Sequence, residues 1–366
     1  MDQIAEITSI ERISKLAMEP RTDWRNYGDL CARSNGNELL ILNYTAAAQY
    51  NDRWNFAERV CRGLIVNTRT GEIVARPFDK FFNWLQGGRI SRGHIVTITE
   101  KIDGSLGILY RDQGIYRVAT RGSFDSDQSS WATLHLQKYD LSLLPNELTL
   151  LFEIVYPENR IVVDYKGAEK LVLLAARNRF TGEYLPYYPD LYELSIRFGF
   201  EITPTFTFNN ITEIIERAGT MDLSAEGYVV EFSDGERFKF KGDRYLELHK
   251  LISGITFKHT LAAVASGNVG YIRSQIPDEF LGQFNKWVEE IESTAEDVRD
   301  KVEIYFNFSP RGSRKEFAQW VVAEHKDIAN YLFAMLDGKS IMPMIYKLEF
   351  QNRREESALK QSESVA

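Results

Sequence analysis

The chain has 366 residues, a formal net charge of −8 and 44% hydrophobic content, enough for two domains, because single cores stop growing near roughly 250 to 300 residues. The acidic balance excludes a polyelectrolyte that coats nucleic acid by bulk attraction, so any such contact has to come from a local basic cluster. No window approaches the ~18 apolar residues of a membrane span, and the only cysteines, Cys31 and Cys61, lack metal spacing. With no basic and apolar leader at the start, these features predict a cytoplasmic protein with no membrane contact.

Residues 8–19 have helical apolar spacing that stops at Pro20, and the chain is mixed until about Leu39. Strands follow. Residues 61–67 and 73–82 predict one hairpin, and residues 106–111 and 115–121 a second across Asp112-Gln113-Gly114. Apolar strands are expected at 148–156 and 171–176, and helices at 189–198 and 211–218. A third hairpin pairs residues 227–232 with 237–241 across Ser233-Asp234-Gly235-Glu236. After about His249 the pattern turns helical, with long amphipathic stretches at 278–306 and 313–336 and a polar end from Arg353 that predicts fraying. We therefore expect an α+β domain over residues 1–250 and an all-helical domain over 251–366.

Chemistry concentrates in a few places. Lys101-Ile102-Asp103-Gly104-Ser105 stands just before a strand; alone it reads equally as a turn with a solvated lysine. A nucleophilic lysine needs nearby cations or burial to shed its proton, and Arg62, Lys239 and Lys241 could supply the cations. Lys239 and Lys241 fall at period two, so both point to one face while Phe238 and Phe240 take the core face. A face of two lysines beside a buried layer usually meets an anion. Glu153 and Glu226 each lie within or beside an apolar strand, where a carboxylate is costly without a partner. Either reading, a structural ion pair or a ligand for sugar hydroxyls or magnesium, fits such an acid. Gly338-Lys339-Ser340 follows a helix and reads as its terminal turn, and the five histidines show no metal spacing.

The ordered strings Lys101-Ile102-Asp103-Gly104-Ser105, Thr120-Arg121-Gly122-Ser123-Phe124, Phe152-Glu153-Ile154-Val155-Tyr156, Leu173 to Asn178, Glu226-Gly227-Tyr228-Val229-Val230 and Phe238-Lys239-Phe240-Lys241 resemble the motif set of covalent nucleotidyltransferases, the polynucleotide ligases and capping enzymes. Cys61-Arg62-Gly63-Leu64-Ile65 and Lys80-Phe81-Phe82-Asn83 sharpen the resemblance to ATP-dependent RNA ligases of the bacteriophage RNA ligase 1 type. It covers residues 55–250. It implies an antiparallel-sheet nucleotidyltransferase domain of the ligase and capping-enzyme type, followed by an all-α domain that could set RNA choice. Lys101 would attack ATP to form lysyl-AMP, with Lys239 and Lys241 at the α-phosphate. Arg62 and Lys80 would hold the ATP phosphates with Phe82 beside them, Arg121 would be the basic residue the family usually has there at the nucleotide, Glu153 would bind the ribose or its neighbourhood, and Glu100, Ile102, Asp103 and Gly104 would serve the same nucleotide around the lysine. Glu226, with Asp103 through water, would anchor Mg2+. No aromatic stands in Leu173 to Asn178 for adenine, which leaves Val229, Val230 or Phe180. The implied substrates are ATP and RNA with 5'-phosphate and 3'-hydroxyl ends, in RNA or tRNA repair, with no obligate protein partner. A DNA ligase, a capping-type guanylyltransferase and a non-catalytic RNA-end binding module are the alternatives; the helical C-terminus, where DNA ligases carry a β-barrel, favours RNA.

Overall fold

Alternating apolar residues dictate a strand-rich first half. In the computed structural model, which describes residues 6–52, 54–252, 256–276 and 278–350, strands β1 (Leu30–Ser34), β2 (Leu39–Tyr44), β3 (Arg62–Asn67) and β4 (Ile73–Ala75) form an antiparallel sheet in that order. Both faces of β2 and β3 are buried. Leu42, Leu64 and Val66 pack on the helix Ile10–Met18 through Ile13 and Leu16, while Ile41 and Ile65 meet Ile108, Leu151 and Ala175 of a second sheet.

Ten further strands make two five-stranded sheets: β5 (Phe82–Asn83), β6 (Ile95–Glu100), β7 (Ser105–Asp112), β8 (Ile115–Ala119), β9 (Leu148–Val155), β10 (Lys170–Asn178), β11 (Glu201–Ile202), β12 (Thr205–Phe206), β13 (Gly227–Phe232) and β14 (Arg237–Lys241). The second sheet runs β11-β10-β9-β7-β8 and the third β12-β6-β13-β14-β5, antiparallel except at β10–β11 and β14–β5. On the third sheet Tyr228, Val230, Phe238 and Phe240 bury against Ile214 and Ala218 of the helix Ile211–Gly219. Val229, Lys239 and Lys241 occupy the other face, as period two requires. Residues 101–104 carry the chain from β6 in the third sheet to β7 in the second. The lysine therefore sits where two sheets meet.

The chain forms two compact units, Met1–Ile252 and Ser253–Ala366. The described part of the second unit is helical, built on the helix Asp278–Phe308, whose Phe284, Val288 and Ile291 bury with Phe257 and Leu261, and whose Ala295 and Val302 bury with Phe317, Val321 and Leu332. The fold is thus α+β with largely antiparallel sheets and a helical C-terminal region. Among the described residues no helix is long and apolar enough to cross a membrane.

Three expectations need correction. The strand expected over 73–82 stops at Ala75; Pro77, which has no N–H to donate, follows, and Phe82–Asn83 joins β14 in a different sheet. The helix expected over 313–336 breaks into Arg314–Glu324 and Ala329–Leu336, because His325 leaves the helical path and lays its ring 4.2 Å from Tyr305 and 4.3 Å from Trp320. The helix expected from residue 189 begins at Tyr192, after a wider turn over Tyr187–Leu191 that holds Pro189. Strand β1 had no distinct signal in the sequence, and residues 353–366 lie outside the described ones.

Candidate active site

Lys101 leaves β6 on the face shared with Lys239 and Lys241, its backbone N–H donating to Gly227 O at 2.8 Å. Its Nζ lies 2.6 Å from Glu226 Oε2, and Lys241 Nζ lies 2.8 Å from Glu226 Oε1. Glu226 is 2% exposed. Burial alone would push its carboxyl up, but the charges and hydrogen bonds of Lys101 and Lys241 outweigh it and hold the group below the ordinary carboxylate range. One buried anion thus gathers two lysines 140 residues apart in sequence, from Lys101 to Lys241.

Two glycines permit this approach. Gly227 has φ +148°, and a Cβ there would lie 2.0 Å from Phe240 O; a Cβ on Gly104 would lie 2.5 Å from Ile154 O and 3.1 Å from Glu153 Cγ. The backbone after Lys101 therefore runs directly over Glu153 on β9. Burial pushes the Glu153 carboxyl up to about 8, with the Glu226 and Asp103 charges adding to the rise and Lys101 and Arg62 opposing it.

A raised acid binds its proton more tightly in the folded state than in the unfolded one. Its stabilising contribution is full below the ordinary 4.5 and is lost as pH rises from there through about 8. We expect Glu153→Gln to be more stable than the native chain at pH 8, by on the order of 2 kcal/mol, with the gap closing toward pH 5. Urea denaturation at the two pH values measures it; a gap independent of pH would contradict the assignment.

The remaining cations collect on the side of β2 and β3. Lys80, 2% exposed, holds its Nζ 4.9 Å from the Trp54 ring centre, 5.3 Å from Tyr44 and 5.7 Å from Phe82. Arg121 donates to the Tyr44 hydroxyl at 2.8 Å and stands 5.0 Å from the same ring. Arg62 and Lys239 share Phe81, at 5.7 and 5.2 Å. Arg62 Nη1, Asn43 Oδ1 and Asn83 Oδ1 are buried without hydrogen-bond partners. Asn43 is the register partner of Arg62, and Asn83 that of Lys239. Buried polar atoms are normally satisfied; an orphaned guanidinium N–H among lysines fits an anionic ligand such as a nucleotide phosphate.

Several expected residues stand elsewhere. Both Asp103 oxygens are engaged: Oδ2 accepts from the Val162 and Val163 N–H groups and Oδ1 from the Tyr245 hydroxyl, each at 2.8 Å. The Tyr165 hydroxyl accepts the Asp103 N–H at 2.8 Å. Asp103 thus braces the lysine loop. Val230 is fully buried in the core on the opposite face from the lysines, so the strand's alternation rules it out as a packing surface for a base; Val229 shares the lysine face. Phe180 is 57% exposed in the turn after β10, against the Arg179 guanidinium at 4.2 Å. Glu100 falls beside Tyr228 on the far face of β6, and Ile102 buries with Val155 and Val172. Tyr44, Trp54, Phe81, Tyr165 and Tyr245 were not expected; each belongs to the site through contacts made in three dimensions, with no local signal to mark it.

For a divalent cation, the described residues contain no group of three His, Cys, Asp or Glu side chains able to hold it. Magnesium keeps most of its water and takes one or two carboxylates with substrate phosphates, and Glu226 is the carboxylate nearest the lysines that fits that use.

A lysine paired to a buried acid, beside Arg62, Lys80, Arg121 and Lys239 where two antiparallel sheets meet, is an arrangement suited to an anionic ligand. Residues 60–245 match the family model described as RNA ligase, more than half of the chain, and the protein belongs to that family. It is 31% identical over 250 residues to the "Putative bifunctional polynucleotide kinase/RNA ligase" of Autographa californica nuclear polyhedrosis virus, covering 58% of this chain and 34% of that one. It is 27% identical over 275 residues to a "Putative RNA ligase" of Thermovibrio ammonificans, covering 70% and 69%. The chain thus spans about a third of the viral relative and about two thirds of the bacterial one. Among solved structures, a Naegleria gruberi RNA ligase with AMP and Mn aligns at TM-score 0.37 and 20% identity over 43% of this chain and 53% of that one.

Proposed function

We propose that the protein is an ATP-dependent RNA ligase that joins 5'-phosphate and 3'-hydroxyl ends through lysyl-AMP and RNA-adenylate, with residues 1–250 carrying adenylyl transfer and 251–366 contributing to RNA choice. The observation that carries this reading is the pairing of Lys101 and Lys241 on one buried carboxylate, 2.6 and 2.8 Å away. Nucleotidyl transfer asks a protein to position groups and to neutralise charge on phosphate oxygens, and this site offers a lysine nucleophile, further cations and no acid–base triad.

In the first step Lys101 Nζ, having given its proton to solvent, attacks the α-phosphorus of ATP; an N–P bond forms and the P–O bond to pyrophosphate breaks. Arg62, Lys80 and Arg121 are the cations suited to the departing phosphates, and Lys239 and Lys241 to the α-phosphate. A bound Mg2+ would supply further charge neutralisation at those oxygens. Next the RNA 5'-phosphate takes the adenylyl group, breaking the N–P bond and restoring the lysine. A 3'-hydroxyl then attacks the activated 5'-phosphate and AMP leaves. Glu226 holds Lys101 and Lys241 side by side.

The test is incubation with α-labelled ATP or GTP, followed by sealing assays on single-stranded RNA, cleaved tRNA and nicked DNA duplex. Label from ATP that stays on the denatured protein, survives alkali and is released by acid, as a phosphoramidate N–P bond requires, and sealing of RNA are expected. Label from GTP would make it a capping-type enzyme, sealing confined to DNA a DNA ligase, and no label at all a binding module.

A further inference from the structure

A groove of about 550 Å³ lies at the outer edge of the third sheet, beside β5. Trp54, Arg59, Phe82, Arg89, Ile90 and Arg92 line it, and Glu236 is the one carboxylate in its wall. Its aromatic wall is shared with the site already described, since the Trp54 and Phe82 rings also enclose the Lys80 ammonium. A ligand in the groove is therefore separated from the phosphate-binding cations by two rings.

The cations of the groove are held in different ways. Arg59 pairs with Glu236 at 3.1 Å and Arg89 with Asp52 at 2.8 Å, which fixes both guanidinium planes; Arg89 also lies 4.2 Å over the Phe82 ring. Arg92 differs. Asp234 clamps its loop by accepting from the Ser91 hydroxyl at 2.7 Å and from the Arg92 and Gly93 N–H groups at 3.1 and 3.2 Å. The Arg92 side chain is exposed, and no ion pair joins it to another described residue. Next to it Ile90 is 54% exposed and Leu85, in the same loop, 58%. Guanidiniums interleaved with aromatic and apolar surfaces are the means by which single-stranded nucleic acid is held, phosphates on the cations and bases on the flat or apolar faces.

We propose that this groove receives the single-stranded RNA that follows the 5'-phosphate end, with Arg92 and Arg89 meeting backbone phosphates and Trp54 and Ile90 meeting a base. The assignment rests on the RNA-ligase reading for the identity of the strand. It places the first nucleotides of that strand along β5, with the Trp54 and Phe82 rings between them and Lys80. In a chain of net charge −8, such a local cluster is the form an RNA contact has to take.

The test uses the full chain and a 5'-phosphorylated single-stranded oligoribonucleotide with a 3' fluorophore, binding being read by anisotropy over a salt series. Arg92→Ala is expected to weaken binding about fivefold and to reduce the slope of log affinity against log salt by about 0.7, the value for one phosphate contact on a single strand. Arg92→Glu should weaken it further, and Arg92→Lys should restore most of the loss. Thermal melting checks that the variants fold. Unchanged affinity and slope in both the Ala and Glu variants would overturn the proposal, as would a loss of ATP affinity equal to the loss for RNA, since the groove would then serve the nucleotide. The two readings fail separately. A native chain that takes up AMP and seals RNA while Arg92→Ala binds RNA normally removes the groove alone; one that takes up no AMP while Arg92→Ala still weakens RNA binding removes the ligase reading and keeps the groove.

Discussion

Lys101→Arg is expected to lose covalent AMP uptake by roughly four orders of magnitude or more, while its melting temperature stays close to that of the native chain. The arginine keeps the positive charge that Glu226 faces, and the native Lys101 side chain is 19% exposed, which leaves room for a longer group. What it lacks is an amine that can give up its proton and attack phosphorus, since a guanidinium stays protonated in proteins. Intact-mass measurement after incubation with ATP reads the adduct directly. An AMP adduct on the Arg variant would show that the nucleophile is another residue, and a collapse in melting temperature would show that Lys101 is held for stability.

The second large effect is expected at Glu226. Glu226→Gln leaves the Lys101 and Lys241 ammonium groups, whose side chains are 19% and 9% exposed, side by side without their anion. Breaking a buried pair by removing one partner costs about 3–5 kcal/mol, and AMP uptake should fall with it because neither lysine is then held. The pH dependence identifies the cause. A carboxylate held below its ordinary 4.5 contributes stability that is full above that value and is lost as pH falls through the lowered folded one. The gap between native and Gln chains should therefore be widest at neutral pH and shrink in acid, below the window in which Glu153 acts with the opposite sign. Denaturation at pH 7 and pH 4 measures this; an equal gap at both would mean that lost packing, and not lost charge, explains the effect.

Much of the site was legible before any coordinates. Lys239 and Lys241 share a face with each other and not with Phe238 and Phe240, because strand side chains alternate. Glu226, an acid at the head of an apolar strand, announced a partner through the cost of leaving it unpaired. The same local rules failed where the controlling contact is remote. Val230 looked as eligible as Val229 until the sheet had two distinct faces, one against Ile214 and one beside Lys239. The Tyr245 hydroxyl that donates to Asp103 comes from 142 residues away, a contact no local pattern announces. The break at His325 likewise depends on the rings of Tyr305 and Trp320, which helical periodicity does not register.

Residue types and spacings of a few residues were enough to place the α+β character, the setting of Lys101 just before a strand, and the inventory of cations and acids. The convergence of Lys101 and Lys241 on the two oxygens of Glu226, the enclosure of Lys80 by Tyr44 and Trp54, and the bracing of a loop by Asp103 emerge from the packed fold alone. Those outcomes depend on which sheets meet and which glycines let the backbone pass, and distances between remote segments are settled by packing and not by local propensity.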